Sequence, residues 1–344
     1  MAMTTPEHVT ILGASGFVGS AVLRELAMRP IRIRAISRRP APVPAAAVAD
    51  IEVCTLDLTA PGAVRAAIAD TDIVVHTVAH IAGASTWRID AGDTEAERVN
   101  VGVVRDLIDA ATEHGGSRTL PRVVFAGTTT QVGVTEKEIL DGSEPDRPAE
   151  EYSRQKLTAE QLLLAATDDG VLTATSLRLP TIFGFVPHAA VSDRGVVATM
   201  ARRALAGQPL TMWHDGSVRR DLLFVEDVAR ALVAACDHVD ELCGRAWLVG
   251  SGTGSPLGEV FATIADVAAE YTGAAVPVVS VAAPDYAAPG DFRSVTVDSS
   301  AFRAVTGWSP RVDLDDALRR MVAFCAGDRE QVAPVLVEQP ADSR

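Results

Sequence analysis

The amino-acid sequence predicts an α/β protein, a doubly wound parallel sheet followed by a smaller C-terminal lobe. Three observations lead there. Short β-branched apolar runs alternate with longer helical patterns through the first half of the 344 residues, the rhythm of strand–helix–strand units. A glycine-rich turn joins the first run directly to the first helical pattern. Beyond about Phe183 the rhythm changes, and Pro, Gly and Trp become prominent in 184–187, 207–216 and 250–258.

In order, the strand candidates are 9–12, 31–36, 51–56, 73–78, 123–126 and 174–179. Each is nearly continuously apolar, as strands buried on both faces of a parallel sheet should be. Between 17 and 28, Val18, Val22 and Leu26 fall at i, i+4 and i+8, one packing stripe of a helix. Such repetition calls for right-handed crossovers. Residues 220–236 read again as a strand entering a helix, so the two lobes interleave. The expected division is therefore 1–182 plus about 219–250 as a nucleotide-binding half, and about 183–218 plus 251–328 as a substrate-binding lobe. Residues 329–344 lack periodicity and read as a loose tail.

Composition narrows the partners. The chain is 48% hydrophobic with a net charge of −14, which argues against nucleic acid and against an anionic membrane surface. No apolar run reaches the ~18 residues that span a bilayer. No basic patch with a following apolar stretch marks the N-terminus, so no signal peptide is expected. Cys54, Cys236, Cys243 and Cys325 show no C-x-x-C spacing. They read as reduced, mostly buried thiols of a cytoplasmic protein, and no metal site is expected.

Gly13-Ala14-Ser15-Gly16-Phe17-Val18-Gly19 follows the first strand and opens the first helix. This is a G-x-x-G-x-x-G form of the Rossmann dinucleotide fingerprint. Small residues let the backbone approach a pyrophosphate, which rests on the helix N-terminus. Gly13, Ser15, Gly16, Phe17 and Val18 are the expected contacts. An NAD site usually ends its second strand with a carboxylate for the ribose hydroxyls. Here the strand ends in Ser37-Arg38-Arg39, a hydroxyl and two guanidiniums suited to a 2′-phosphate, so the expected cofactor is NADP(H). Asp57 and Leu58, after the third strand, are placed to flank the adenine. Val78, Ala79 and His80, after the fourth, should line the cofactor's middle.

Only two of the 31 basic residues are lysines, and Lys156 follows Tyr152, one of three tyrosines, by four positions. On a helix these share a face and can address one ligand. A phenol beside a fixed ammonium becomes a better proton donor and acceptor.

With these marks in place, the chain resembles the extended short-chain dehydrogenase/reductase family over nearly its whole length. The resemblance includes Gly127-Thr128-Thr129-Thr130 at the fifth strand's end, Val99-Asn100-Val101-Gly102, and Arg220-Asp221 ahead of Phe224-Val225-Glu226-Asp227. It implies that Tyr152 passes the proton, that Lys156 bonds the nicotinamide ribose and lowers the phenol's pKa, and that a hydroxyl bonds the reacting oxygen. Counting back from Gly133 that hydroxyl is Thr128, with Thr129 the alternative. The resemblance also adds Asn100, Pro180 and Ile182 to the cofactor contacts, Thr181 to the substrate contacts, and a homodimer.

Arg219-Arg220-Asp221 falls where sugar-nucleotide enzymes of the family have an arginine gripping the diphosphate, so Arg220 is the expected anion clamp. Trp213 either stacks on the ligand base or packs in the lobe, and His80 and Trp87 lie where sugar contacts are made. A 4,6-dehydratase would carry an Asp-Glu pair straight after its catalytic hydroxyl, where this chain has Thr129-Thr130. The stretches 78–88, 202–221 and 298–310 are similar to dTDP-4-keto-6-deoxyhexose 4-ketoreductases of antibiotic deoxysugar biosynthesis. The resemblance therefore implies NADPH-dependent 4-keto reduction of a dTDP-linked sugar. A sugar-nucleotide 4-epimerase, a reductase of non-nucleotide carbonyls and a non-catalytic NADP-binding regulator stay as alternatives.

Overall fold

A computed structural model describes residues 7–80, 89–113, 121–187, 193–213, 215–285 and 287–328. Trp87 and the 329–344 tail lie outside the described residues. Seven strands form the central sheet: β1 His8–Leu12, β2 Arg32–Ser37, β3 Asp50–Thr55, β4 Ile73–His76, β5 Arg122–Thr128, β6 Thr173–Leu179 and β7 Ala246–Leu248. Their spatial order is β3-β2-β1-β4-β5-β6-β7, every neighbour parallel. The chain direction across the sheet reverses between β1 and β4, so a crevice opens there at the strands' C-terminal ends.

Alternation along the strands divides the core. Val9, Ile11, Ile73, Val75 and Val124 pack on one face with the helices Phe17–Leu26 and Val225–Asp237. Leu12, Val74, Val123 and Phe125 pack on the other, against Val103–Glu113 and Glu151–Asp168. Val22 and Leu26 of the predicted stripe are fully buried. Two expectations need correction. β3 is the sheet edge and largely exposed, Val53 included, because one of its sides has no strand to pair with. Of the four cysteines, all free, only Cys236 is buried and the other three are half-buried.

The smaller lobe forms its own core, in which Phe183, Phe185, Leu222 and Phe224 meet the helices Val196–Leu205, Leu257–Thr272 and Leu314–Ala326. It is stitched to the sheet by the strand Arg219–Phe224, which pairs in parallel with Thr181–Phe183 and antiparallel with Gly254–Pro256. That strand runs straight into the helix Val225–Asp237, the strand-to-helix passage read from 220–236. Asp227, fully buried in this helix, accepts backbone N–H groups from Arg311 and Val312 and pairs with Arg230. Trp308 Nε1 donates to the Asp227 carbonyl at 3.2 Å.

Candidate active site

The crevice is a cleft of about 530 Å³, within the range of small-ligand sites. Its first wall is the glycine turn. Gly13 has φ +96°, and a Cβ there would sit 2.8 Å from Thr77 Oγ1 and 3.1 Å from the Val78 nitrogen. Only glycine fits that conformation and that approach. Gly16 caps the following helix without any side-chain hydrogen bond, and no acidic residue occupies the first turn. The free amides and the positive helix end are thus left for an anionic ligand. These residues fit a dinucleotide.

The sequence-predicted contacts Gly13, Ser15, Gly16, Phe17 and Val18 all line this cleft. So do Ser37, Arg38 and Arg39 beyond β2, and Asp57 and Leu58 beyond β3. Both arginines are exposed, while Ser37 Oγ donates to the Arg39 carbonyl at 2.7 Å and shapes the corner. Hydrogen bonds from Thr59, then the fields of Arg38 and Arg98, hold the Asp57 carboxyl below its usual range. Val78, Ala79, His80 and Ile182 complete the middle.

Asn100 and Pro180 are not among the lining residues. Asn100 is buried in a short π-helical turn, Arg98–Gly102, with its side chain spent on protein. Its Oδ1 accepts the His80 N–H at 2.7 Å, and its Nδ2 donates to the His80 carbonyl and to Gln155 Oε1. It therefore fixes the cleft wall at His80.

At the far end, one helix presents Tyr152 and Lys156 to the cleft as their spacing predicts. Lys156 is buried with its Nζ 3.9 Å above the Phe125 ring. Burial pulls its pKa down to about 7, opposed by the field of Glu160. Burial also pushes the half-buried Tyr152 phenol up to about 12. At neutral pH the phenol is therefore in its proton-donating form.

Thr128 ends β5 and caps a 3₁₀ turn, Thr129–Val132. Gln131 Oε1 accepts the Thr128 N–H at 2.9 Å, and Thr128 Oγ1 lies 3.0 Å from Thr130 Oγ1. Thr130 Oγ1 in turn meets Ser153 Oγ at 2.7 Å, tying the hydroxyls to the Tyr152 helix. Thr129 is buried, so of the two candidates Thr128 is the more accessible. Neither Thr lines the cleft itself, which reaches the adjoining Gly127.

The remaining substrate candidates are not gathered there. Thr181 and Trp213 are half-buried outside the lining. Arg220 is turned away, donating to the carbonyls of Gly290, Asp291 and Arg293. Its guanidinium fastens a loop and is not presented to an anion. Asp221 faces oppositely on the same strand and accepts from Ser251, Gly252 and Val297. Sequence reasoning missed Arg98, which lines the cleft while donating to Asp106 and to the Thr59 carbonyl. It also missed Asp193 and Arg194, which the smaller lobe brings to the cleft. No local motif marks any of these three. Among the described residues, no group of three or more His, Cys, Asp or Glu could hold a metal, and no helix is long and apolar enough to cross a membrane.

A switch-point crevice with a glycine turn at one end and a Tyr–Lys pair at the other defines a nucleotide-dependent enzyme class, and the comparisons name the family. The chain belongs to the NAD dependent epimerase/dehydratase family, matched over residues 9–250. It is 26% identical to a dTDP-L-rhamnose 4-epimerase of Burkholderia thailandensis, covering 94% of this chain and 96% of that one. Identity to a dTDP-6-deoxy-L-talose 4-dehydrogenase (NAD(P)(+)) of Kitasatospora kifunensis is 27%, with 92% and 95% covered. Among solved structures, the Thermus thermophilus UDP-glucose 4-epimerase complex with NAD superposes with a TM-score of 0.74. That pair shares 26% identity, with 93% of this chain and 99% of the other covered.

Proposed function

We propose that the protein reduces the 4-keto group of a dTDP-4-keto-6-deoxyhexose with NADPH, as a cytoplasmic homodimer serving antibiotic deoxysugar biosynthesis. The observation that carries the reading is one cleft holding both the Tyr152–Lys156 pair and an arginine corner without a carboxylate at the end of β2. A bound dihydronicotinamide supplies the hydride to the carbonyl carbon. The charge left on oxygen is met by the Thr128 hydroxyl and neutralised by the Tyr152 proton. Lys156 holds the nicotinamide ribose, and Arg38, Arg39 and Ser37 hold a 2′-phosphate. Two relatives named for chemistry at position 4 of dTDP-linked 6-deoxysugars support the substrate class.

A 4-epimerase is the second reading, favoured by the relative from Burkholderia thailandensis. The two part on net reaction. An epimerase leaves its nicotinamide unchanged over a cycle, whereas the reductase consumes one NADPH per sugar. NADPH oxidation is therefore followed with dTDP-4-keto-6-deoxyhexose, and sugar interconversion with dTDP-6-deoxyhexose and NAD. Stoichiometric oxidation, faster with NADPH than with NADH, is the expected result; interconversion without oxidation sinks it.

A further inference from the structure

The helix that carries Tyr152 and Lys156 turns a third polar side chain the same way. Glu160 lies four residues beyond Lys156, is 1% exposed, and sits behind the cleft wall. Its two oxygens are fixed from β6. Oε2 accepts Ser176 Oγ at 2.6 Å, and Oε1 accepts Arg178 Nη2 at 2.5 Å. Arg178 also pairs with Asp146, Nη1 to Oδ1 at 2.7 Å and Nη2 to Oδ2 at 2.8 Å. Charge thus alternates from the cleft outward through Lys156, Glu160, Arg178 and Asp146.

The other neighbours of Lys156 offer it little. Phe125 presents its ring from β5, and from β4 comes the buried imidazole of His76. Burial, then the Lys156 charge, keeps that imidazole neutral. Tyr152, one turn earlier, is held as the neutral phenol. On the cleft lining the smaller lobe adds Arg194, a like charge, and Asp193, whose carboxylate is bound by the Gly184 and Gly195 N–H groups. Among the described residues, the favourable field on Lys156 comes from Glu160.

We propose that Glu160 is a positioning residue whose carboxylate, placed by Ser176 and tempered by the Arg178 charge, keeps the Lys156 side chain an ammonium at the cleft. The inference deepens the proposed function, which needs a charged Lys156. Its test involves no substrate, so its failure and that of the reductase assay are separate results.

The sequence makes the measurement direct, because Lys137 and Lys156 are the chain's two lysines. Protein labelled with ¹³C at lysine Cε gives two signals, assigned with Lys137→Gln. Lys156 is expected to titrate with a midpoint near 7, and in Glu160→Gln the midpoint falls by about one pH unit. Arg178→Gln, which removes a positive charge beside Glu160, moves it upward. Lys137, ion-paired on the surface with Asp141 and Glu144, stays in place as the internal reference. An unmoved midpoint in Glu160→Gln, or the same direction in both variants, overturns the proposal. If Glu160→Gln does not fold, Arg178→Gln decides alone: an upward shift supports the proposal, and no shift or a downward one overturns it.

Discussion

The Asn100 side-chain amide donates to Gln155 Oε1 at 2.8 Å, both residues being buried. That bond joins the π-helical turn to the Tyr152 helix, and the His80 backbone is bound through the same amide. Asn100→Ala leaves the Gln155 acceptor and the His80 backbone groups unmet, so stability should fall by about 3 kcal/mol. Denaturant melts measure this. NADPH affinity should weaken only through loss of wall geometry, and a stable variant with abolished binding would show direct contact instead.

On the proposed function, Tyr152→Phe removes the proton donor and keeps the ring. Turnover is expected to fall about 10²- to 10⁴-fold, while NADPH fluorescence titrations stay within a few-fold of wild type. A fully active variant removes Tyr152 from the chemistry.

On the proposed function, cofactor preference rests on Arg38 and Arg39. Hydrogen bonds to charged groups contribute about 1.5–3 kcal/mol each. The double variant Arg38→Ala/Arg39→Ala should therefore lose about 10²- to 10⁴-fold in kcat/KM for NADPH, with NADH little changed. Equal losses with both cofactors would place the arginines elsewhere in the mechanism.

His76 makes the fold acid-sensitive. Its ring is fully buried, neither nitrogen has a hydrogen-bond partner, and burial pulls its pKa from 6.5 to about 3. Between those values the unfolded chain binds a proton that the folded chain refuses. Stability from this group is complete above about 6.5 and is lost as pH falls toward 3. His76→Leu should flatten that limb by about 1 kcal/mol per pH unit. Melts between pH 6.5 and 4.5 that run parallel to wild type would contradict the assignment.

Arg220 yields a test of the diphosphate clamp. If the guanidinium grips a nucleotide, it must leave the carbonyls of Gly290, Asp291 and Arg293. Hydrogen exchange over 289–293 should then rise with dTDP in the wild type, and in Arg220→Met should be raised already without nucleotide. Exchange unchanged by dTDP would confine Arg220 to fastening the loop.

Much of this arrangement was legible in the sequence because it depends on local rules. The glycine turn announces itself through spacing, the six strands through apolar runs, and Tyr152–Lys156 through helical period. Where distant segments decide, local pattern is silent. The sequence of β3 reads like a buried strand, and only its place at the sheet edge exposes Val53. Asp193 and Arg194 enter the cleft from a segment beyond the sixth strand of the sheet. Arg220 faces loop carbonyls some 70 residues downstream, which no spacing foretells. Glu160 was readable in principle, as the residue at i+8 on the face of Tyr152.

Asp227 has a bearing on how the chain is born. Its buried carboxylate lies in the helix that covers the first half of the sheet, yet its N–H partners belong to Arg311 and Val312. During synthesis the sheet and its covering helix emerge long before those donors exist. A nascent chain halted short of residue 311 must hold that carboxylate with Arg230 alone, or leave that helix undocked. That helix is thus early in the sequence but cannot be finished early, and ribosome-bound intermediates should acquire protease resistance over it in a single late step.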